Sequence, residues 1–505
     1  MTISFNNISQ SDRASNIDIE IAGVLRSAAS FFIPPTPVII GQYDPLKTGI
    51  VDYELVKVSS KEAVGDIAGW GSHLHRQALA FPNSVFNSGG GVYIAPIPDA
   101  VGAVAATETI TFAVNATKGG TFYFSFGGEL VRFNVKKDDT PTIIGDALED
   151  AIDSNRNIAV TAINAIGVVT ITSKFKGTEG NKILIKQNPG GEVQAGESPG
   201  GTTVVIENVD GYLAGGTGTP DIHDIFFDSG EEDKLGDRWY TQFTCPFNDA
   251  TNLGIIKDAG DARSAPTIHR MFGAYTAYVD KTYDEALAIP ATINSEWIGT
   301  VWAARGYYPE FEYAAALAGR IAQEQNLNPA RPYKTTDVGL SGDTTIPNVN
   351  YGSQDALFKA GMGFIKIGND GVMRWGDIPL TYRKTPTGAD TEEWFDAVSL
   401  HSRQAKAYSL EQIFSLSPYD RGVVVDNNAI TNVEWAISPK DVIADLSKLI
   451  EDLWGPFAWT KNVEEVIEGL TSDINESFQG RIDAQVTDDE AKALRIIALK
   501  YAFLY

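Results

Sequence analysis

The sequence predicts a multi-domain chain of mixed α/β and α+β character, with a β-rich domain inserted into a larger core and an extended strand at each end. Three observations predict it. The chain has 505 residues, more than a single hydrophobic core organises, so about three or four domains follow from ordinary domain size. Near residue 105 the texture shifts to dense Thr, Val, Phe and Gly, and it shifts back near residue 215. Finally, apolar residues alternate at both ends, far from any hairpin partner.

The opening run Ile3-Ser-Phe5-Asn-Asn-Ile8 places Ile3 and Phe5 on one face of a strand. It is either a strand that takes a partner from elsewhere or a frayed tail. Prolines 34, 35 and 37 then lead into an apolar strand, Val38-Ile39-Ile40-Gly41. In the insert, Ile110, Phe112 and Val114 alternate, as do Phe122, Phe124 and Phe126 and, after the Gly127-Gly128 turn, Val131, Phe133 and Val135. A three-stranded meander is the simplest arrangement. Thr140-Pro141 opens a helix carrying Ile144, Ala147, Leu148 and Ile152, with proline in the first turn where its missing N–H costs nothing. Strands follow at about 158–164, 168–173 and 182–187, and Gly215–Gly218 reads as an interdomain linker.

From about residue 220 helical and extended segments alternate: a helix near 249–260, apolar runs near 287–303, and an Ala-rich helix from Pro309 to Gln325 closed by Asn328-Pro329. Ser438-Pro439-Lys440-Asp441 has capping-box spacing and precedes Val442, Leu446, Leu449 and Leu453, stopped by Gly455-Pro456. In the last residues Leu499, Tyr501, Phe503 and Tyr505 share one face of an alternating run. Leaving four such side chains in water forgoes roughly 1.5–3 kcal/mol each. The run is therefore either a central strand of its own domain or a strand donated to a neighbour.

Composition narrows function. Lys plus Arg number 40 against 65 Asp plus Glu, a net charge of −25, which disfavours a nucleic-acid partner. The start has no signal-peptide pattern and no apolar run approaches the roughly 20 residues that span a bilayer, so no direct membrane insertion and a cytosolic origin are expected. Cys245 is the only cysteine, which excludes an intrachain disulfide or a multi-cysteine zinc site. Gly196-Glu-Ser198-Pro-Gly200 has hydrolase-like spacing, yet Pro199 has no N–H to offer an oxyanion hole. His73 and His75 would share one side of a strand as a metal pair, but no third ligand is marked, and two surface histidines near a turn are the simpler reading. His223, His269 and His401 lie in no triad context, and no phosphate-binding glycine loop is present. No catalytic, metal or cofactor site is expected, and assembly is the better reading.

Several segments together resemble the tail sheath family of contractile bacteriophages, in its Mu-like branch. They are Ile3-Ser-Phe5-Asn6 with Ile8 and Ser11-Asp-Arg13; Gly89-Gly-Gly-Val-Tyr-Ile-Ala-Pro96; Thr170-Ile-Thr-Ser-Lys-Phe-Lys-Gly177 with Glu179-Gly-Asn181; Asp237-Arg-Trp-Tyr240 with Pro246-Phe-Asn-Asp249; and Asn328-Pro-Ala-Arg-Pro332. The resemblance implies a sheath core of subtilisin-like topology without protease activity, since the Asp, His and Ser motif contexts of such proteases are missing. It divides the chain into an N-terminal arm (1–30), a first core part (31–104), the inserted β-rich domain (105–215), the core α/β domain (216–380), an inner tube-facing domain (381–490) and a C-terminal strand arm (491–505).

The resemblance further implies a homo-oligomer of hexameric rings stacked helically around a tail tube, with baseplate and tail terminator proteins as further partners. Such a subunit is made in the host cytoplasm and ends in the virion. Ile3, Phe5 and Ile8 would form one exchanged strand, and Leu499, Tyr501, Phe503 and Tyr505 the other. A tube-facing helix is expected at Glu392–Ser415, after Asp390 and Glu393 in capping-box spacing, burying Trp394, Val398, Ala405 and Tyr408 and offering Arg403 and Lys406. An ordinary solvated face is the other reading of those cations, and Lys440 and Lys448 are the rival pair. The sheath of a tail-like bacterial injection particle fits the same features. A secreted β-rich adhesion or surface protein and a hydrolase are the readings from other classes.

Overall fold

The computed structural model describes residues 31–191, 198–429 and 433–499. Ile3, Phe5, Ile8, Tyr501, Phe503 and Tyr505 lie outside the described residues. Two compact units are present, a larger one built from Pro34–Ala407, Phe457–Lys461 and the segment from Glu490, and a smaller one built mainly from Tyr408–Pro456 and Asn462–Asp489.

The larger unit starts with β1 (Pro37–Gln42), β2 (Val56–Val58), α1 (Lys61–Ala68), α2 (His73–Ala80), α3 (Asn83–Phe86) and β3 (Val92–Ile97). The insert follows with β4 (Ala105–Ala113), β5 (Gly120–Phe126), β6 (Glu129–Val135), α4 (Pro141–Asp153), β7 (Val160–Ala165), β8 (Val168–Lys176), β9 (Ile185–Gln187) and β10 (Thr203–Ile206). The chain then runs through α5 (His223–Phe226), β11 (Gln242–Thr244), α6 (Ala250–Ser264), β12 (Gly273–Tyr278), α7 (Tyr283–Ile293), β13 (Ile298–Trp302), α8 (Glu310–Leu327), α9 (Tyr351–Ala360), β14 (Met362–Ile367) and β15 (Met373–Trp375).

One eight-stranded sheet organises the core in the order β15-β14-β13-β12-β11-β1-β3-β2. Strands β14 to β3 are mutually parallel, and antiparallel β15 and β2 close the edges. Helices cover both faces, so β1, β3, β12 and β13 are buried along their whole length and read as continuous apolar runs. Alternate residues go to opposite cores. Ile39, Ile94, Tyr275 and Val301 pack with Leu74, Leu317 and Ile321, whereas Val38, Ile40, Phe243 and Ile298 pack with Phe226, Leu253 and Ile256.

The insert has its own core of Phe112, Phe122, Phe124, Phe133, Ile144, Leu148 and Ile171. Its strands form two sheets, β10-β4-β8-β7 and β6-β5-β9. The β5–β6 hairpin turns at Gly127-Gly128, both at positive φ, where glycine is favoured. The expected meander is only half right: β4 does not pair with β5, because its two edges are taken by β8 and β10 from much later in the chain. Helix α4 starts at Pro141, with the Thr140 hydroxyl accepting the Ile143 N–H. Gly215–Gly218 is not a free linker. Val104 and Thr217 exchange two backbone hydrogen bonds and Thr107 and Ala214 exchange two more, so the strands leading into and out of the insert form one antiparallel stem.

His73 and His75 are corrected as well. They lie on α2, not a strand, and both are fully buried; on a helix two such positions diverge by about 200°. His73 Nδ1 accepts the Gln42 N–H, and its ring sits against Phe175, Phe247 and Phe311. Burial holds its pKa down at about 3, and that of His75 at about 4.

Charged groups fasten the insert to the core. All five N–H donors of Arg76, on α2, have acceptors: Nε and Nη2 bind Glu312 of α8 at 2.9 and 2.8 Å, Nη1 binds Glu129 of β6 and the Asn157 carbonyl at 2.6 and 3.1 Å, and Nη2 also binds the Gly127 carbonyl at 3.3 Å. Arg76 and Glu312 are each 1% exposed, Glu129 27%. Burial pushes Glu312 up to about 7 although the Arg76 charge pulls the other way. Nearby, Lys182 lies 3.2 Å from Glu310 and 3.6 Å from Asp280. Glu179 is buried with one carboxylate oxygen unpartnered, and its pKa is raised to about 8 by burial and then by the Glu310 charge.

The smaller unit takes up the chain within α10 (Ala397–Phe414), followed by β16 (Val423–Val424), β17 (Ala436–Ile437), α11 (Pro439–Leu449), α12 (Val463–Glu468), β18 (Thr471–Ile474) and β19 (Ile482–Gln485). The Ser438–Asp441 capping box forms at α11, and the helix continues as a π-helical turn, Ile450–Trp454, up to Gly455. Helix α10 starts at Ala397, later than expected. Leu380 N–H donates to the Phe395 carbonyl, which keeps the preceding chain extended, and Asp396 accepts the Ser399 N–H to cap the helix. Trp394 therefore lies off the helix, packed on Trp297.

Replacing Arg76 by Met strands a buried carboxylate, so unfolding free energy should fall by about 3–5 kcal/mol in urea denaturation, while Glu129→Gln, at a part-exposed partner, should cost about 1 kcal/mol or less. A similar loss in both would remove the special status of the buried pair. Glu179 keeps its proton in the fold up to about pH 8 but releases it near 4.5 when unfolded. Its contribution is thus complete below pH 4.5 and is lost as pH rises through about 8. Glu179→Gln should therefore flatten the decline in stability across that window; an unchanged profile in pH-dependent denaturation would count against it.

Candidate assembly surfaces

Among the described residues, two of the features that leave main-chain or apolar groups without cover are candidates for assembly. The first is the β18–β19 hairpin of the smaller unit, a two-stranded antiparallel ladder from Thr471↔Gln485 to Ile474↔Ile482. Its residues are exposed or half-buried and Phe478 at its turn is 66% exposed. A lone hairpin is marginal in water, and among the described residues no third strand joins its outer edges, which suits them to receiving another strand. Helix α11 packs on both strands. An apolar groove of about 310 Å³ runs between Phe414, Tyr419, Val424, Ile437, Val442 and Ile482 of the same unit.

The second is the segment that ends the described chain in the larger unit. Glu490 pairs with Arg403 and Lys492, and Ala491 N–H donates to the Trp459 carbonyl. Leu494, Ile496, Ile497 and Leu499 are 64–88% exposed. Of Leu499, Tyr501, Phe503 and Tyr505, Leu499 alone is among the described residues, and it faces solvent.

Arg403 and Lys406 both have partners within the larger unit. The Arg403 guanidinium lies 4.3 Å from the Trp394 ring and 3.0 Å from Glu490. Lys406 is 6% exposed and its ammonium donates to the Trp459 carbonyl at 2.9 Å. As placed, Lys406 secures the fold rather than presenting a free charge. Lys440 and Lys448 stand on α11, where Lys440 N–H donates to Asn427.

The remaining polar residues do structural work. The His401 ring sits between the Tyr275 hydroxyl at 2.6 Å and Gln404, and burial holds it down at about 4. His223 contacts Asp224 and Glu231, which raise its pKa. Among the described residues no three His, Cys, Asp or Glu side chains are arranged to hold a metal ion, and no helix is long and apolar enough to cross a membrane. Sequence reasoning missed Arg76, Glu312 and Arg495. Only Arg495 carried a local signal, as the lone cation in Leu494-Arg-Ile-Ile-Ala-Leu499.

No family model matches the chain. Over 468 residues, 90% of this chain and 90% of the relative, it is 24% identical to the Mu-like prophage FluMu tail sheath protein of Haemophilus influenzae. The chain is a homologue of that Mu-like prophage protein. Among solved structures, this sheath homologue is similar to the sheath tail protein of Desulfitobacterium hafniense, with TM-score 0.47, 9% identity and coverage of 94% of this chain and 100% of that one. It is also similar to the contracted helical sheath of the anti-feeding prophage, with TM-score 0.46, 13% identity and coverage of 97% and 99%.

Because Lys406 is enclosed, Lys406→Glu should lower the thermal midpoint markedly, a buried anion beside a carbonyl costing about 1–3 kcal/mol or more, whereas Lys406→Met should cost less. If Lys406→Glu melts with the parent protein in calorimetry, the side chain is free in solution.

Proposed function

We propose that this chain is the structural, non-enzymatic subunit of a contractile tail sheath, in a phage or a phage-like injection particle. The observation that carries it is the end-to-end relationship to a Mu-like tail sheath protein, covering 90% of both chains. In this reading subunits form hexameric rings stacked helically on a tail tube, joined to baseplate and terminator proteins, and contraction drives the tube through the host envelope for genome ejection. The particle is assembled in the host cytoplasm and the subunit becomes part of the virion. A parallel sheet covered on both faces supports the subtilisin-like topology attributed to the core.

Neighbouring subunits are joined by exchanged strands: Ile3, Phe5 and Ile8 at one end, Leu499, Tyr501, Phe503 and Tyr505 at the other. The bare edges of β18–β19 supply an acceptor, with main-chain bonds for affinity and alternate side chains for register. Contraction then needs no nucleotide. An extra 500 Å² or so buried per subunit is worth on the order of 12 kcal/mol gross, of which ordering and desolvation leave a fraction that accumulates along a tail. Tube contact by the α10 region belongs to the same reading, with Arg403 as its more accessible cation.

Negative-stain electron microscopy of the purified protein over a concentration series should show hollow tubes of uniform width with sixfold rings. Strictly monomeric particles at every concentration would reject the sheath reading. Deletion of residues 1–10 should leave a folded monomer that forms no tubes; normal tubes from that deletion would reject strand exchange at this end.

A further inference from the structure

From Ala491 to Arg495 burial alternates: Ala491, Ala493 and Arg495 are half-buried while Lys492 and Leu494 are exposed. That is the signature of an extended segment lying on a surface. After Arg495 the alternation stops, and Ile496, Ile497, Ala498 and Leu499 are all exposed. The change coincides with one side chain. Arg495 binds the Asp396 carboxylate that caps α10, lies 3.6 Å from Asp377, and stands 4.8 Å from the Phe358 ring and 5.4 Å from that of Phe395. Phe358 and Phe395 themselves meet edge to face at 4.9 Å. Lys334 adds a bond to the Leu494 carbonyl. Asp396 is only 5% exposed, so lifting Arg495 away would leave a buried carboxylate short of its cation and strip a guanidinium from two aromatic faces.

We infer that Arg495 is the anchor at which the C-terminal arm leaves the body, so that residues 496–499, and none of the described residues before them, are offered to a second copy of this chain. This rests on the strand-exchange reading for the identity of the partner, but not for the anchor. The partner surface is a strand edge with apolar cover on both sides, because Ile497 and Leu499 share one face of an extended arm and Ile496 lies on the other. Arg495 positions the arm; it does not itself face the partner. An arm fixed at its root searches a small volume and loses less freedom on docking than one loose from Glu490.

The test is limited digestion of the full-length monomer with a protease of broad specificity, with products weighed by mass spectrometry. The parent protein should be trimmed to a stop at Arg495 or Ile496. Arg495→Ala should lose that stop and be trimmed back toward Glu490 with its body intact, and Arg495→Lys should restore much of it. Asp377→Asn weakens the same anchor without uncovering a buried group, and should shift the stop in the same direction should Arg495→Ala fold poorly. A stop unchanged in Arg495→Ala, or in Asp377→Asn where only that variant folds, overturns the anchor. Separately, a chain ending at Arg495 should form no tubes. Normal tubes from it would overturn donation of this arm while the digestion result still decides the anchor.

Discussion

A single buried guanidinium ties the core of the larger unit to its insert. Arg76 reaches from a core helix to a second core helix and into the insert, and it spends every donor it has on acceptors within 3.3 Å. A bidentate, fully desolvated pair of this kind is sensitive to geometry and unforgiving of a missing partner. The insert is therefore not a pendant on a flexible tether. Its root is packed by Phe175 and Phe311 around a neutral His73, and its stem is a hydrogen-bonded pair of strands.

That rigidity contrasts with the two features read as assembly surfaces. Among the described residues, the β18–β19 hairpin is joined by no third strand and residues 496–499 leave apolar side chains uncovered, which is what a strand partner needs. Low local stability suits elements that gain their structure from a neighbour. The proposed sheath function would call on both, a body that moves as a block and extremities that stay joined while blocks move.

Much of the fold was legible in the sequence because local rules decided it. The Gly127-Gly128 hairpin, the Thr140-Pro141 helix start and the Ser438–Asp441 capping box each depend on residues a few positions apart, and each formed. What failed depended on distant partners. The strand at Ile110 took neighbours from β8 and β10, Asp396 became the cap because Leu380 held the preceding residues extended, and His73 and His75 were drawn into the interior by a helix they help start. The candidate surfaces divide in the same way. An apolar terminal run was visible as a pattern, but burial of Lys406 under Trp459 and the grip on Arg495 come from chain segments tens of residues away.

The stem at the root of the insert has a consequence for how such chains diversify. Val104 and Thr217 exchange hydrogen bonds directly, so more than a hundred residues leave and return through one narrow gate whose width matches a tight hairpin turn. A different domain, or only a short turn, could be grafted across that gate without altering the register of the eight-stranded sheet, provided the patch around Arg76, His73 and Phe311 were recoated. The core thus serves as a chassis, and the insert is plugged into it at one socket.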